Sequence, residues 1–281
     1  MKTFLAVVSD GNAGAVIETA IIAALPFDGC IIGLNAMTTE YAVVFGGEMG
    51  FSVSSEVDRT LEREGQERRE QARALFQTVM ASHAIPIDGT KGSRVSAEWR
   101  EEAGRQNAVV GTLGRLFELI VVERPAKLAS LAEATLEDAL FEGGRPVLMA
   151  PPTAPKVMGE NIVIAWNNST ETARTVGFAM PYLARAKSVE VLSVEGSQVP
   201  GPGGDEMAAM LRRGGIPARA RYIASRGRST PGEVFLAEAK AAGADLLVKG
   251  AYTQSRLRQM IFGGATRHII MEAEIPVLLA H

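Results

Sequence analysis

Residues 244–280 read ADLLVKGAYTQSRLRQMIFGGATRHIIMEAEIPVLLA, and their order decides the fold. A short apolar run, ADLLVK, leads into a glycine-bearing loop, a helical stretch and a second apolar run, IPVLLA. Two strands joined through a helix lie parallel in one sheet, because parallel strands need a crossover and not a tight turn. The same plan recurs upstream, where FELIVVE (117–123) parallels ADLLVKG (244–250) and RPVLMA (145–150) parallels IPVLLA (275–280). The chain opens on TFLAVV (3–8), a Ser-Asp-Gly-Asn turn and a helical stretch from Ala13 to Leu25 that Pro26 stops. NIVIAW (161–166), Asn-Asn-Ser-Thr and a helical stretch from Glu171 to about Ala184 repeat that opening. Second strands, CIIGLNAM (30–37) and SVEVLSVE (188–195), complete the correspondence. Agreement in order at so many places implies a tandem duplication.

The first copy is longer by roughly 30 residues between its second and third strands. Residues 38–53 (TTEYAVVFGGEMGFSV) read as a loop with an apolar tip, and Ser54-Ser55 cap a helix expected from Glu56 to about His83. Ten of the sixteen residues from Asp58 to Arg73 are charged. Val57, Leu61, Ala72, Leu75, Phe76 and Val79 form an apolar stripe, so this helix reads as a solvated outer face held down along one side. The second copy has only VPGPGGDEMAAMLRRGG there, a Pro/Gly loop and a short helix. Strands too apolar for a one-sided sheet, alternating with helices, predict the α/β class: two tandem α/β sandwich domains, each with a five-stranded, mainly parallel sheet. The expected division is 1–150, a linker at 151–160 (PPTAPKVMGE) stiffened by three prolines, and 161–281.

Composition narrows the function classes. With 281 residues, 47% hydrophobic and 22% charged, the chain is long enough to bury a core in each domain. Its 29 Lys and Arg against 32 Asp and Glu give a formal net charge of −3, without the basic surplus that nucleic acid or an anionic membrane surface requires. The single cysteine, Cys30, excludes an internal disulfide and any multi-cysteine metal site, and reads as a small buried hydrophobe at the start of a strand. No uncharged apolar run is long enough to span a membrane, and the opening MKTFLAVVSDGNAG is too short in apolar residues for a signal peptide. The expected location is the cytoplasm.

In open α/β sheets, ligands sit beyond the carboxyl ends of the strands. Three loops of the second copy have suitable composition there, and the first and third are the informative ones. The first is Asn167-Asn168-Ser169-Thr170 after the first strand; the third spans 250–269. Gly250, Gly263 and Gly264 permit close backbone approach or positive φ. Gly263-Gly264-Ala265-Thr266 opens a helix and offers free N–H groups at its positive end, while Ser255, Arg256, Arg258 and Thr266 add donors. Phosphate suits this set; glycines that serve turn geometry alone are the alternative.

The pattern Gly-x2-Gly-x9-Gly-(Ser/Gly)-x-(Ser/Thr), set between ADLLV and PVLL and joined by AW-N-x-S after the first strand, resembles the universal stress protein family. The resemblance spans essentially the whole chain as a tandem pair and is strongest over 161–281. It implies an adenine nucleotide alpha hydrolase-like sheet in each domain and pairing of the domains as a pseudo-dimer through RPVLMA and IPVLLA, with homodimerisation left open. It also implies ATP or AMP held between the first-strand loop and the glycine loop, with Mg as an open accompaniment. By position, Gly250 matches the first motif glycine, Gly263 the third, Gly264 the Ser/Gly position, and Ala265 and Thr266 the helix start. Asn167, flanked by Ala165 and Ser169, stands where an acid commonly contacts the nucleotide, and Val194 where the second strand walls the adenine. Thr253, in place of the second glycine, restricts backbone approach yet brings a hydroxyl donor; Arg256 adds a charge beside it.

The first copy differs. After FELIVVE it reads RPAKLASLAEATLEDALFEGG, with no glycine before Gly143, with Pro125 lacking a donor N–H, and with Glu133, Glu137 and Asp138 set to repel phosphate. This half is expected to lack the nucleotide site and to serve as a structural or interaction partner. The chain has only His83, His268 and His281, of which His268 follows the glycine loop; Glu101-Glu102 reads as part of a helical, solvent-facing stretch. The leading expectation is a stress-response protein that binds adenine nucleotide as a regulator and not as an efficient catalyst, slow ATP hydrolysis being left open. A nucleotide-independent scaffold working through residues 38–73 is the alternative, and a metal-dependent phosphohydrolase using His268 or Arg256 is a third reading.

Overall fold

Strands and helices alternate along the whole chain in a computed structural model that describes residues 1–9, 11–37, 55–87, 94–224, 229–251 and 264–281. The first half runs β1 (Thr3–Val7), α1 (Ala13–Ala24), β2 (Cys30–Met37), α2 (Ser55–Ser82), β3 (Ser96–Ala103), α3 (Gln106–Leu113), β4 (Leu119–Glu123), α4 (Leu131–Glu142) and β5 (Val147–Ala150). The second runs β6 (Asn161–Ala165), α5 (Thr170–Leu183), β7 (Ser188–Val194), α6 (Gly204–Arg213), β8 (Ala218–Ile223), α7 (Pro231–Ala241), β9 (Leu246–Gly250), α8 (Ala265–Glu272) and β10 (Val277–Ala280). Each strand expected from an apolar run is present, and the edge strands β3 and β8 are added to them. The loop 38–53 and its Ser54 lie outside the described residues.

The ten strands form one sheet in the order β3-β2-β1-β4-β5-β10-β9-β6-β7-β8. Within each half every neighbouring pair is parallel. The halves meet in an antiparallel pair, β5 against β10, with Val277 opposite Met149, Leu278 opposite Leu148 and Leu279 opposite Val147. The expected pairing of RPVLMA with IPVLLA is therefore present, and it merges two five-stranded sheets into one. Val147–Ala150 and Val277–Ala280 are buried throughout, so each strand covers an apolar edge that the other half would otherwise expose.

Helices α1, α2, α5 and α6 cover one face of the sheet; α3, α4, α7 and α8 cover the other. Both apolar layers run across the junction. On the first face Tyr182 donates its hydroxyl to the Ala23 carbonyl at 3.1 Å and meets the Phe27 ring edge-on, tying α5 to α1. On the second, the Arg124 guanidinium donates to the Met271 carbonyl, so the residue after β4 satisfies the carboxyl end of α8. Asp245 holds the end of the proline-rich connection by accepting from the backbone N–H groups of Gly159, Glu160 and Asn161 at 2.7, 3.1 and 3.0 Å.

Three local readings change. Glu101 and Glu102 lie on β3, not on a helix; the strand pairs with β2 in unbroken register from Ser96 to Ala103. A sheet edge tolerates such charge, and Arg100 pairs with Glu102 along it while Trp99 packs on Phe76. Along α2, Ala72 and Phe76 are buried as expected, Met80 joins them and Leu75 faces outward; the side chains of Val57 and Leu61 lie outside the described residues. Cys30 begins β2 but is only half-buried.

Candidate functional site

Strand order reverses between β6 and β9 in the second half and between β1 and β4 in the first, so each half has a crevice at the carboxyl ends of those strands. In the second half the chain leaves β6 with Trp166 N donating to the Leu192 carbonyl at 2.8 Å and the indole N–H donating to the Pro202 carbonyl at 2.9 Å. Asn167 follows, 6% exposed, and its Oδ1 accepts from the Ser169 hydroxyl at 2.8 Å and the Thr172 hydroxyl at 2.5 Å. Ser169 is the N-cap of α5 and accepts from Thr172 N at 3.2 Å. The Asn167 oxygen thus braces the first turn of α5. Asn168 takes the left-handed conformation, φ 67°, and its amide donates to the Val199 carbonyl at 3.0 Å, which ties this loop to the one after β7.

Gly250 ends β9 directly against that same turn. A Cβ there would lie 2.7 Å from the Glu171 carbonyl carbon and 2.6 Å from Thr172 Oγ1, with the Thr172 backbone nitrogen closer still. Glycine is required there by the close approach of the strand end to α5. Ala165 and Val194 are fully buried in the apolar layer shared with α7 and α8. Thr253, Arg256 and Gly263, with Ser255 and Arg258, lie outside the described residues.

Beyond them, α8 starts at Ala265 with Gly264 as N-cap, no side chain capping it and no acid in its first turn. Thr266 is buried in that turn. The preceding helices of the second half are closed by their own side chains: α5 by Ser169, α6 by Glu206, and α7 by Thr230 with Glu233 in a capping box. Arg267 N and His268 N turn back onto the Gly264 carbonyl at 3.0 and 3.4 Å, and among the described residues no side chain accepts from the N–H groups of Ala265 and Thr266 at the positive end of α8. His268 lies on the flank of α8 that meets α7, its Cβ beside Gly232. Among the described residues no three His, Cys, Asp or Glu side chains gather to hold a metal ion, and no helix is long and apolar enough to cross a membrane.

One residue of this region escaped sequence reasoning. Lys249, the penultimate residue of β9, is 3% exposed, and its ammonium donates to the Gly250 carbonyl at 3.1 Å. Burial pushes its pKa down to about 8. The signal was a lone charge inside the apolar run LLVKG.

In the first half, Glu123 ends β4, and its carboxylate accepts from Asn12 N at the start of α1 at 2.8 Å. The carboxylate fills the space beside Gly11, where a Cβ would lie 2.7 Å from Glu123 Cδ. Helix α4 is closed by a reciprocal cap: Ser130 Oγ accepts from Glu133 N at 3.2 Å, and the Glu133 carboxylate accepts from Ala129 N at 2.6 Å.

Residues 158–281 match the family model described as the Universal stress protein family. A comparison with curated protein sequences finds no match. Among solved structures, a universal stress protein from Archaeoglobus fulgidus DSM 4304 is similar over 99% of this chain and 95% of its own, with a TM-score of 0.67 at 15% identity. A protein from Pseudomonas aeruginosa UCBPP-PA14, described as a putative universal stress protein, is similar over 100% of this chain and 93% of its own, with a TM-score of 0.55 at 17% identity. At such identities the likeness is one of fold, and it extends over both halves.

Proposed function

We propose, on the match of the second half, residues 158–281, to the universal stress protein family, that this half binds an adenine nucleotide, ATP or AMP. The first half, residues 1–150, is then a partner domain without a nucleotide site. The observation that carries this reading is the open amino terminus of α8 at Gly264, beyond the β6/β9 crevice, in the half that matches the family. Phosphate oxygens would take the N–H groups of Ala265 and Thr266, with Thr253, Arg256 and Gly263 of the intervening loop contributing to the same set. Gly250 keeps the strand end close to α5, Asn167 and Ser169 hold the α5 turn that borders the site, and Ala165 and Val194 give its floor an apolar character. Asn167 acts through that turn, because its oxygen already accepts from two hydroxyls.

The function proposed is binding and regulation in a stress response, and not efficient turnover. His268, which follows the loop, has its Cβ beside Gly232 at the start of α7. Isothermal titration of the full-length chain is expected to detect ATP or AMP; absence of heat and of any rise in melting temperature at millimolar nucleotide rejects the proposal.

A further inference from the structure

Lys249 is buried, and among the described residues it has no counter-ion. It alternates along β9 with Leu247 and neighbours Ala251, both in the layer packed by α7 and α8. Ala251 N donates to the Ala280 carbonyl on the β10 side, so the preceding carbonyl, that of Gly250, points the opposite way, toward β6. The ammonium that donates to this carbonyl is therefore buried at the carboxyl end of β9, the strand that borders the β6/β9 crevice. An ammonium has three donors, and Gly250 takes one. Among the described residues no carboxylate pairs with it, and residues 252–263, YTQSRLRQMIFG, contain two arginines and no Asp or Glu. A buried charge is costly unless it is paired. The same layer also contains α8, whose first turn has no capping side chain and no acid.

We propose that Lys249 is an anion-binding residue that takes a phosphoryl group of the ligand, jointly with the open N–H groups of α8. The inference rests on the nucleotide reading for the identity of that ligand, but the chemistry it names is the phosphoryl group, from a nucleotide or from free pyrophosphate. It assigns the charge that discriminates a nucleotide from its nucleoside to a residue of the strand itself, ahead of the glycine loop.

The test uses the full-length chain, wild type, Lys249→Met and Lys249→Arg, titrated with ATP, adenosine and inorganic pyrophosphate. Lys249→Met is expected to weaken ATP by about tenfold or more, as loss of a charge-assisted hydrogen bond does, and to leave adenosine unchanged, with Lys249→Arg recovering part of the loss. In protein labelled with 13C at lysine Cε, the resonance absent from Lys249→Met is expected to shift on addition of pyrophosphate. ATP affinity equal within twofold in wild type and Lys249→Met, with no such shift, overturns the proposal and leaves nucleotide binding standing. Failure to bind ATP and adenosine, with pyrophosphate still held by wild type and lost in Lys249→Met, rejects the nucleotide reading and keeps the anion site. Failure to bind any of the three overturns both. A Lys249→Met chain that melts below wild type is replaced by Lys249→Gln, read by the same three ligands.

Discussion

The carboxyl ends of β4 and β9 occupy equivalent places, since Phe4 pairs with Leu119 as Ile162 pairs with Leu246, and they are finished in opposite ways. Counting along from those pairs, Glu123 stands where the second half has Gly250, and Val122 where it has Lys249. In the first half a carboxylate folds onto the start of α1, and α4 is closed by Ser130 and Glu133. In the second half glycine brings the strand against α5, a lysine replaces a buried valine, and α8 is left uncapped. The first half meets the starts of α1 and α4 with its own acids, Glu123 and Glu133, and leaves α3 without a capping side chain. The other leaves a positive end unmet and adds a cation beside it. The two halves thus share a strand order and differ in electrostatic closure at the ends of β4 and β9.

The largest expected effect breaks the second half at the strand end. Gly250→Val sets a branched side chain against the Glu171 carbonyl carbon and the Thr172 backbone, none of which can swing aside. A loss of about 3 kcal/mol is expected, the upper part of the usual range for overpacking, read by urea unfolding. A loss below about 0.5 kcal/mol would mean that α5 does not press on β9 as described. Lys249→Val, which gives the second half the first half's residue, is expected to act in the opposite direction. The folded pKa of Lys249, about 8, lies below the ordinary value of 10.5, so between those values the unfolded chain holds a proton that the folded chain has released. Stability of the wild type therefore rises with pH across that interval, and the penalty is complete below it. The variant is expected to be more stable by about 3 kcal/mol at pH 7, with the advantage fading toward pH 10.5. A constant difference across pH 7 to 10.5 would assign the gain to packing and not to charge. Smaller again is Glu123→Ala, which leaves Asn12 N without its acceptor and is expected to cost about 1 to 2 kcal/mol. Because α4 stays capped, the variant is expected to gain no nucleotide binding.

Much of this contrast was legible in the residues. Alternating apolar runs and helical stretches located every strand but the edge strands β3 and β8, and the family resemblance named IPVLLA and RPVLMA as the junction, two apolar strands whose edges would otherwise be exposed. Gly263-Gly264-Ala265-Thr266 marked a helix start that offers free N–H groups, and Glu133 marked a stretch set to repel phosphate. Other features were hidden by chemistry that serves two ends. A carboxamide such as that of Asn167 braces a helix turn with the same oxygen that would meet a ligand, and only the positions of Ser169 and Thr172 separate the two uses. Glu101-Glu102 read as helical because charge density resembles a solvated helix face, whereas an edge strand is also solvated along one side. Lys249 was overlooked although a single charge in an apolar strand is conspicuous, since burial depends on which helices cover the strand end.

The smallest effect on stability gives the sharpest separation between the halves. Gly264 has φ −77° and ψ 169°, ordinary extended values for an N-cap, and a Cβ built on it meets nothing within 4 Å. Gly264→Asp therefore fits without strain, supplies the missing acceptor for the first turn of α8, and places a negative charge at the positive end of its dipole. It converts the second half's open terminus into the closed state that Ser130 and Glu133 give α4. Stability is expected to rise by about 0.5 kcal/mol, within reach of a careful urea titration. The same carboxylate occupies the N–H groups proposed for phosphate and repels it, so ATP affinity is expected to fall by at least about tenfold while the fold becomes slightly firmer. Opposite signs in the two measurements exclude misfolding as the cause of lost binding. Undiminished ATP binding in Gly264→Asp would move the ligand away from α8 and remove the main reason for treating the two halves as functionally unequal.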